Sequence, residues 1–129
     1  MARERYAECS IVSGTEGVEI HCSGYKGWWN SKPFKMITDF SWKDVTQVMA
    51  FKRDCWSVDL ICLEFELNGK MVVEVNEEME GWKGLAEAMT AHLPGALAFS
   101  DWWEKVVSPA FEPCPTHIYP PIKTSDQHP

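Results

Sequence analysis

Histidines, cysteines and a dense run of carboxylates are the groups in this sequence with chemistry to offer. The four histidines, His21, His92, His117 and His128, are far apart along the chain. Only His21 stands beside a thiol, Cys22. A cysteine nucleophile needs its base within hydrogen-bond reach. Neighbours in a strand point to opposite faces, so an extended segment keeps His21 and Cys22 apart. The five cysteines, Cys9, Cys22, Cys55, Cys62 and Cys114, include no CxxC pair. The odd number and the polar opening of the chain argue against a disulfide framework, and the spacing against a structural zinc site. All five thiols are expected to be free, in a reducing cytoplasm. Cys62, inside an apolar strand pattern, reads as a small core hydrophobe.

The carboxylates are concentrated. From Asp54 to Glu80 the chain carries Asp54, Asp59, Glu64, Glu66, Glu74, Glu77, Glu78 and Glu80, against the base Lys70. That stretch alone accounts for the formal net charge of −7. Paired carboxylates can perform acid–base chemistry or hold a metal, so a small enzyme with a carboxylate site is one reading. No histidine lies nearby. The sequence also has no Gly-rich phosphate loop, no His-Glu-x-x-His and no Gly-x-Ser-x-Gly, and it implies no cofactor. The plainer reading is the solvated side of a half-buried hairpin. Such a face suits a basic protein partner and repels nucleic acid. The candidate binding face is Glu64, Glu66, Glu74, Glu77 and Glu78.

Those side chains need elements to hold them. Asp59, Ile61, Leu63, Phe65 and Leu67 alternate with Leu60, Cys62, Glu64 and Glu66, as in a strand buried on one side. Asn68-Gly69 follows, the strongest short hairpin signal, in a type I′ turn. Met71, Val73 and Val75 share a face of the return strand. Upstream, Gly17–Cys22 reads as a short strand broken by Ser23–Gly27, and Phe34–Ile37 as a second. Trp28–Pro33 reads as a loop. Ser41–Asp44 suits a turn or a single helical turn. Val45–Arg53 reads as a strand with Val45, Met49 and Phe51 on one side.

After Gly81 the period changes. Trp82, Leu85, Ala86, Met89 and Leu93 make a helical stripe, preceded by acids that suit the helix dipole and stopped at Pro94-Gly95. Ser100 can cap a shorter helix to Val107. From Pro109 onward prolines recur, and a regular element cannot run through them. Phe111, Ile118 and Tyr119 are expected to pin this tail to the core. Residues 1–10 are expected to lack fixed structure.

The 129 residues suit one domain with an ordered core over about 10–119. An apolar share of 45% is ordinary for a globular protein. Seven tryptophans, Trp28, Trp29, Trp42, Trp56, Trp82, Trp102 and Trp103, are expected mostly as core and half-buried packing. Tryptophan is also enriched at interfaces, so a homo-oligomer is open. No uncharged run is long enough to span a bilayer. Strands, a hairpin, then a main helix make an α+β fold, a bent antiparallel sheet with a C-terminal helix, a short helix and a Pro-rich tail.

The succession Phe40–Val45, Asp59–Phe65, Met71–Val75 and Gly81-Trp82-Leu85-Met89 resembles small bacterial domains of pleckstrin-homology-like type. Trp102–Phe111 is similar to the ending of a group of uncharacterised bacterial proteins. The resemblance covers roughly residues 35–119 and implies a partly open barrel closed at one end by a helix. Domains of this fold often bind phosphoinositides through basic early loops. Here only Lys26, Lys32 and Lys35 are scattered there, so that function does not carry over. The functional expectation is a non-enzymatic interaction or scaffold domain. An immunity-type inhibitor of a basic bacterial toxin is the alternative from the same acidity.

Overall fold

A computed structural model of the chain describes residues 4–26, 32–55, 58–108 and 115–121, with backbone alone at 4–7, 26, 54, 55 and 58. The first sheet has the order β1-β2-β3, from β1 (Glu4–Ser13), β2 (Gly17–Lys26) and β3 (Lys32–Ser41). A single 3₁₀ turn, Trp42–Asp44, leads into the second sheet. Its strands are β4 (Val45–Cys55), β5 (Val58–Leu67), β6 (Met71–Asn76) and β7 (Thr116–Tyr119), in the order β6-β5-β4-β7. Helices α1 (Trp82–His92) and α2 (Phe99–Val107) lie between β6 and β7. All strand pairs are antiparallel. The fold is α+β, and its two sheets do not close into a barrel. Strands followed by helices are consistent with a generic pleckstrin-homology-like topology. Among the described residues, no helix is long and apolar enough to cross a membrane.

The core lies between the inner faces of the sheets and under the helices. The first sheet gives Ile11, Val18, Ile20 and Phe40, and the second gives Val48, Ala50, Leu63, Phe65 and Val75. Phe40 and Phe65 meet across the gap with ring centroids 5.1 Å apart. The helical stripe is buried as its period requires: Trp82, Leu85, Ala86 and Met89 face inward. Trp102 and Val106 of α2 join them. Trp82, Phe99, Trp102 and Trp103 form one aromatic cluster of tilted and edge-on rings with centroids 5.1–6.4 Å apart. Trp42 stacks on His92 at 4.8 Å and donates its indole N–H to the Gly14 carbonyl at 2.7 Å. Trp42, Trp82, Trp102 and Trp103 thus serve packing, while Trp28, Trp29 and Trp56 lie outside the described residues.

The chain returns from the second sheet to the first at Glu80. The Ile11 N–H donates to the Glu80 carbonyl at 2.7 Å, and the Glu80 N–H to the Cys9 carbonyl at 3.1 Å. Gly81 follows with φ 89°, and a Cβ there would lie 2.1 Å from the Ile11 carbonyl oxygen. Only glycine lets the chain hug β1 and turn at once into α1.

The hairpin is present. Asn68 (φ 54°) and Gly69 (φ 68°) take the left-handed conformations of a type I′ turn. The ladder begins at Leu67 and Met71.

Several sequence expectations are corrected. Residues 4–10 belong to β1. β2 runs through Ser23-Gly24-Tyr25 to Lys26, because pairing on both sides overrides the weak propensity of Ser and Gly. A bulge between Val45 and Gln47 changes the parity of β4. Val45 therefore joins Val48 and Ala50 inside, and Met49 and Phe51 turn outward. Ser100 lies inside α2, whose N-cap is Ala98. A four-residue strand, β7, fits between Pro115 and Pro120 and pairs with β4, although prolines flank it. Ile118 is buried and Tyr119 packs on the core, as expected; Phe111 lies outside the described residues.

The thiol expectation also fails. Cys9 and Cys22 are joined in a disulfide. Spacing rules look along the chain, whereas the β1–β2 register sets these residues directly opposite each other on one face. Peptide mapping without reduction should recover Cys9 linked to Cys22, and two separately alkylated peptides would refute the bridge. In the helical stripe, Leu85→Ala should lower stability by about 2–5 kcal/mol in urea melts, through lost transfer energy and a residual cavity. A midpoint equal to the parent's would remove Leu85 from the core.

Candidate interaction face

The outer face of β4-β5-β6 follows from strand parity. Ile61, Leu63, Phe65 and Leu67 point into the core, so Cys62, Glu64 and Glu66 point out. Glu74 stands directly opposite Glu64 across the hairpin, and Val72 opposite Glu66. On the other side of β5, Met49 faces Glu64 and Phe51 faces Cys62. The structure therefore brings Glu64, Glu66 and Glu74 together. Met49 and Phe51 beside them are half-buried, and Val72 is exposed.

Glu77 and Glu78 lie apart from this group, in the turn that follows β6. The Glu77 carboxylate accepts the Ile61 N–H at 3.0 Å, sealing the end of the β5–β6 ladder. The Glu78 side chain is exposed, and its backbone N–H donates to Asn76 Oδ1 at 3.0 Å.

The acidity is partly offset by two cations that the charge count along the chain leaves out. Arg53 donates from Nη2 to Glu74 Oε1 at 2.7 Å. Its guanidinium lies 5.4 Å from the centroid of the Phe51 ring. Arg53 is opposite Leu60 and Glu74 is opposite Glu64, so this bridge crosses β5 diagonally over Cys62. That explains how a residue on the outer face is fully buried. Burial, reinforced by the Glu74 charge and opposed by Arg53, pushes the Cys62 thiol up to about 11. Such a thiol is protonated and unreactive at neutral pH.

The second cation is Lys52, on the inner face. Its ammonium donates to the Val107 carbonyl at 2.8 Å and lies 3.7 Å from Asp59 Oδ2. It ties the end of α2 to the sheet, and it removes Asp59 from the acidic surface. Sequence reading missed it because the bulge in β4 hides the inward parity of position 52. On the outer face, Thr46 Oγ1 donates to Glu66 Oε1 at 3.0 Å. Asp54's side chain lies outside the described set.

Acid–base chemistry finds little here. His117 lies opposite Met49, in the row His117–Met49–Glu64–Glu74. Two strand spacings, roughly 10 Å, separate its strand from that of Glu64, and its Nε2 contacts the Pro120 carbonyl. His21 lies on the outer face of the other sheet, paired with Glu19 at 2.9 Å. Cys22 is its neighbour on the opposite face, bridged to Cys9, so the dyad is absent. Among the described residues, no group of three or more His, Cys, Asp or Glu is placed to hold a metal ion. An open groove of about 530 Å³ lies elsewhere, at the end of the first sheet, lined by Glu8, Ser23, Gly24, Tyr25, Pro33, Phe34 and Lys35. No protein-family model, curated protein or solved structure matches the chain.

The Cys62 shift has a pH consequence. The folded thiol, at about 11, lies above the ordinary value of 9.0. The fold thus favours the protonated form, and this contribution is complete below pH 9 and lost as pH rises through 11. Replacing Cys62 with alanine removes it. The stability difference between parent and Cys62→Ala should shrink between these limits in urea melts; a constant difference would place the thiol in solvent.

Proposed function

We propose that the protein is a non-enzymatic interaction domain that receives a basic protein on the outer face of its second sheet. The observation that carries this reading is the grouping of Glu64, Glu66 and Glu74 on one face, beside half-buried Met49 and Phe51 and exposed Val72. Interfaces combine an apolar centre with a charged rim. The apolar side chains would supply contact area, and the carboxylates would steer a cationic partner into register. Glu77 and Glu78, beyond the end of β6, extend the negative field and do not form the contact itself. Arg53 neutralises Glu74 and sets one limit of the patch.

The same reading treats the chain as a relative of the small bacterial pleckstrin-homology-like domains that its sequence resembles. Support comes from the order of strands and helices. An immunity-type inhibitor is the special case in which the basic partner is a toxin. The carboxylate-enzyme reading lacks, among the described residues, a histidine paired with Glu64. The cytoplasmic expectation rests on free thiols, and the Cys9–Cys22 bridge takes two of them away; binding through this face works in either redox compartment.

A basic partner recovered by pull-down should associate more slowly as salt rises from low to physiological levels. Charge reversal at Glu64→Lys with Glu66→Lys should slow association by about tenfold at low salt, with the melting curve kept, since steering contributes at least that much. An association rate indifferent to both salt and reversal would remove this face from the binding site.

A further inference from the structure

We infer that the outer edge of β3 pairs with the same edge of a second copy of this chain, antiparallel and centred on Ile37. β3 is the edge strand of its sheet, and among the described residues no strand covers its far side. It exposes apolar side chains on both faces: Ile37 is 63% exposed and Met36 44%. A long edge of this kind is a template for another strand.

The direction of its backbone groups follows from the register. The Cys9 carbonyl and the Ile11 N–H bond to Glu80, away from β2. In an antiparallel ladder these orientations alternate along each strand. Cys22 and Ile20, opposite Cys9 and Ile11, must therefore bond toward β3, where they meet Met36 and Thr38. The N–H and C=O groups of Lys35, Ile37 and Asp39 then point outward along the open edge.

These residues form a self-complementary pattern. A two-fold axis through Ile37 sets the two Ile37 residues opposite each other, each donating to and accepting from the other. It sets Lys35 opposite Asp39 of the second copy, and Asp39 opposite its Lys35. Both side chains are exposed, and neither has an ion-pair partner among the described residues of its own chain. An edge protected against pairing carries like charges, which repel across a two-fold. Here the opposite signs, equidistant from the axis, attract. Pro33, with no N–H to offer at an outward position, ends the pairing on each side. The product is one continuous sheet of order β1-β2-β3-β3-β2-β1 with closed two-fold symmetry. The other apolar edge, β6, fits less well: its Lys70 lies in the turn outside the strand, and its Glu74 is held by Arg53.

The face proposed for a basic partner lies on the other sheet, so the two readings stand or fall separately. Sedimentation velocity over a dilution series of the intact protein tests this one. The parent should pass from dimer to monomer on dilution. Lys35→Asp and Asp39→Lys should each weaken the dimer about tenfold or more, because two attractive pairs become two repulsive ones. An equimolar mixture of the two variants should recover dimerisation, since each supplies the charge that the other lacks. Ile37→Pro removes an outward N–H and should give a monomer, with circular dichroism reporting that it is folded. A parent that stays monomeric up to its solubility limit overturns the proposal. So does a dimer indifferent to both charge changes and not rebuilt by mixing, which would place the contact on another edge.

Discussion

The pair of backbone hydrogen bonds between β1 and Glu80 is the constraint on which the rest of the architecture depends. The two sheets share no strand, and the 3₁₀ turn at Trp42–Asp44 is their direct covalent link. A second tie is needed to hold them face to face. Glu80 supplies it by bonding to Cys9 and Ile11 immediately before α1 begins. The helix therefore starts at a fixed height above the first sheet, and its apolar stripe joins the core to which both sheets contribute. Gly81 is the steric condition for that approach. The interior then excludes water from both sheets together, which two independent half-buried sheets could not do.

Lys52 shows a different balance. Burying an ammonium costs several kcal/mol, offset only when charge and hydrogen bonds meet it in good geometry. Asp59 and the Val107 carbonyl do so from the neighbouring strand and from the negative end of α2. This contact favours one placement of α2 over slipped alternatives. An apolar residue at position 52 would fill the space without specifying it.

Sequence reading succeeded where one periodicity ran without interruption. Alternation from Asp59 to Leu67 fixed which carboxylates share a face, the Asn68-Gly69 pair located the hairpin, and the 3.6-residue stripe from Trp82 located α1. It failed where the decisive fact was a relation across strands. Cys9 and Cys22 become partners through register, and no spacing rule encodes register. The bulge after Val45 reversed the parity of β4, hiding Lys52 and turning Met49 and Phe51 outward. β7 was invisible because four residues between prolines carry almost no periodic signal, and its stability comes from the edge of β4. The candidate face was legible at Glu64, Glu66 and Glu74 and illegible at Arg53, whose reach over Cys62 is diagonal across strands.

The pairing of β7 with β4 sets an order on biogenesis. β4 is made before the hairpin and both helices, and its partner emerges only after them. While the ribosome adds the intervening residues, one side of β4 remains an open edge holding Val48 and Ala50 at the core. Long-range pairing of this sort is slow, and an unpaired edge invites wrong partners meanwhile. The early strands can assemble locally through neighbouring hairpins, whereas Ile118, fully enclosed in the finished molecule, arrives last. A nascent chain truncated before Thr116 thus carries a sheet whose β4 edge is still unsealed.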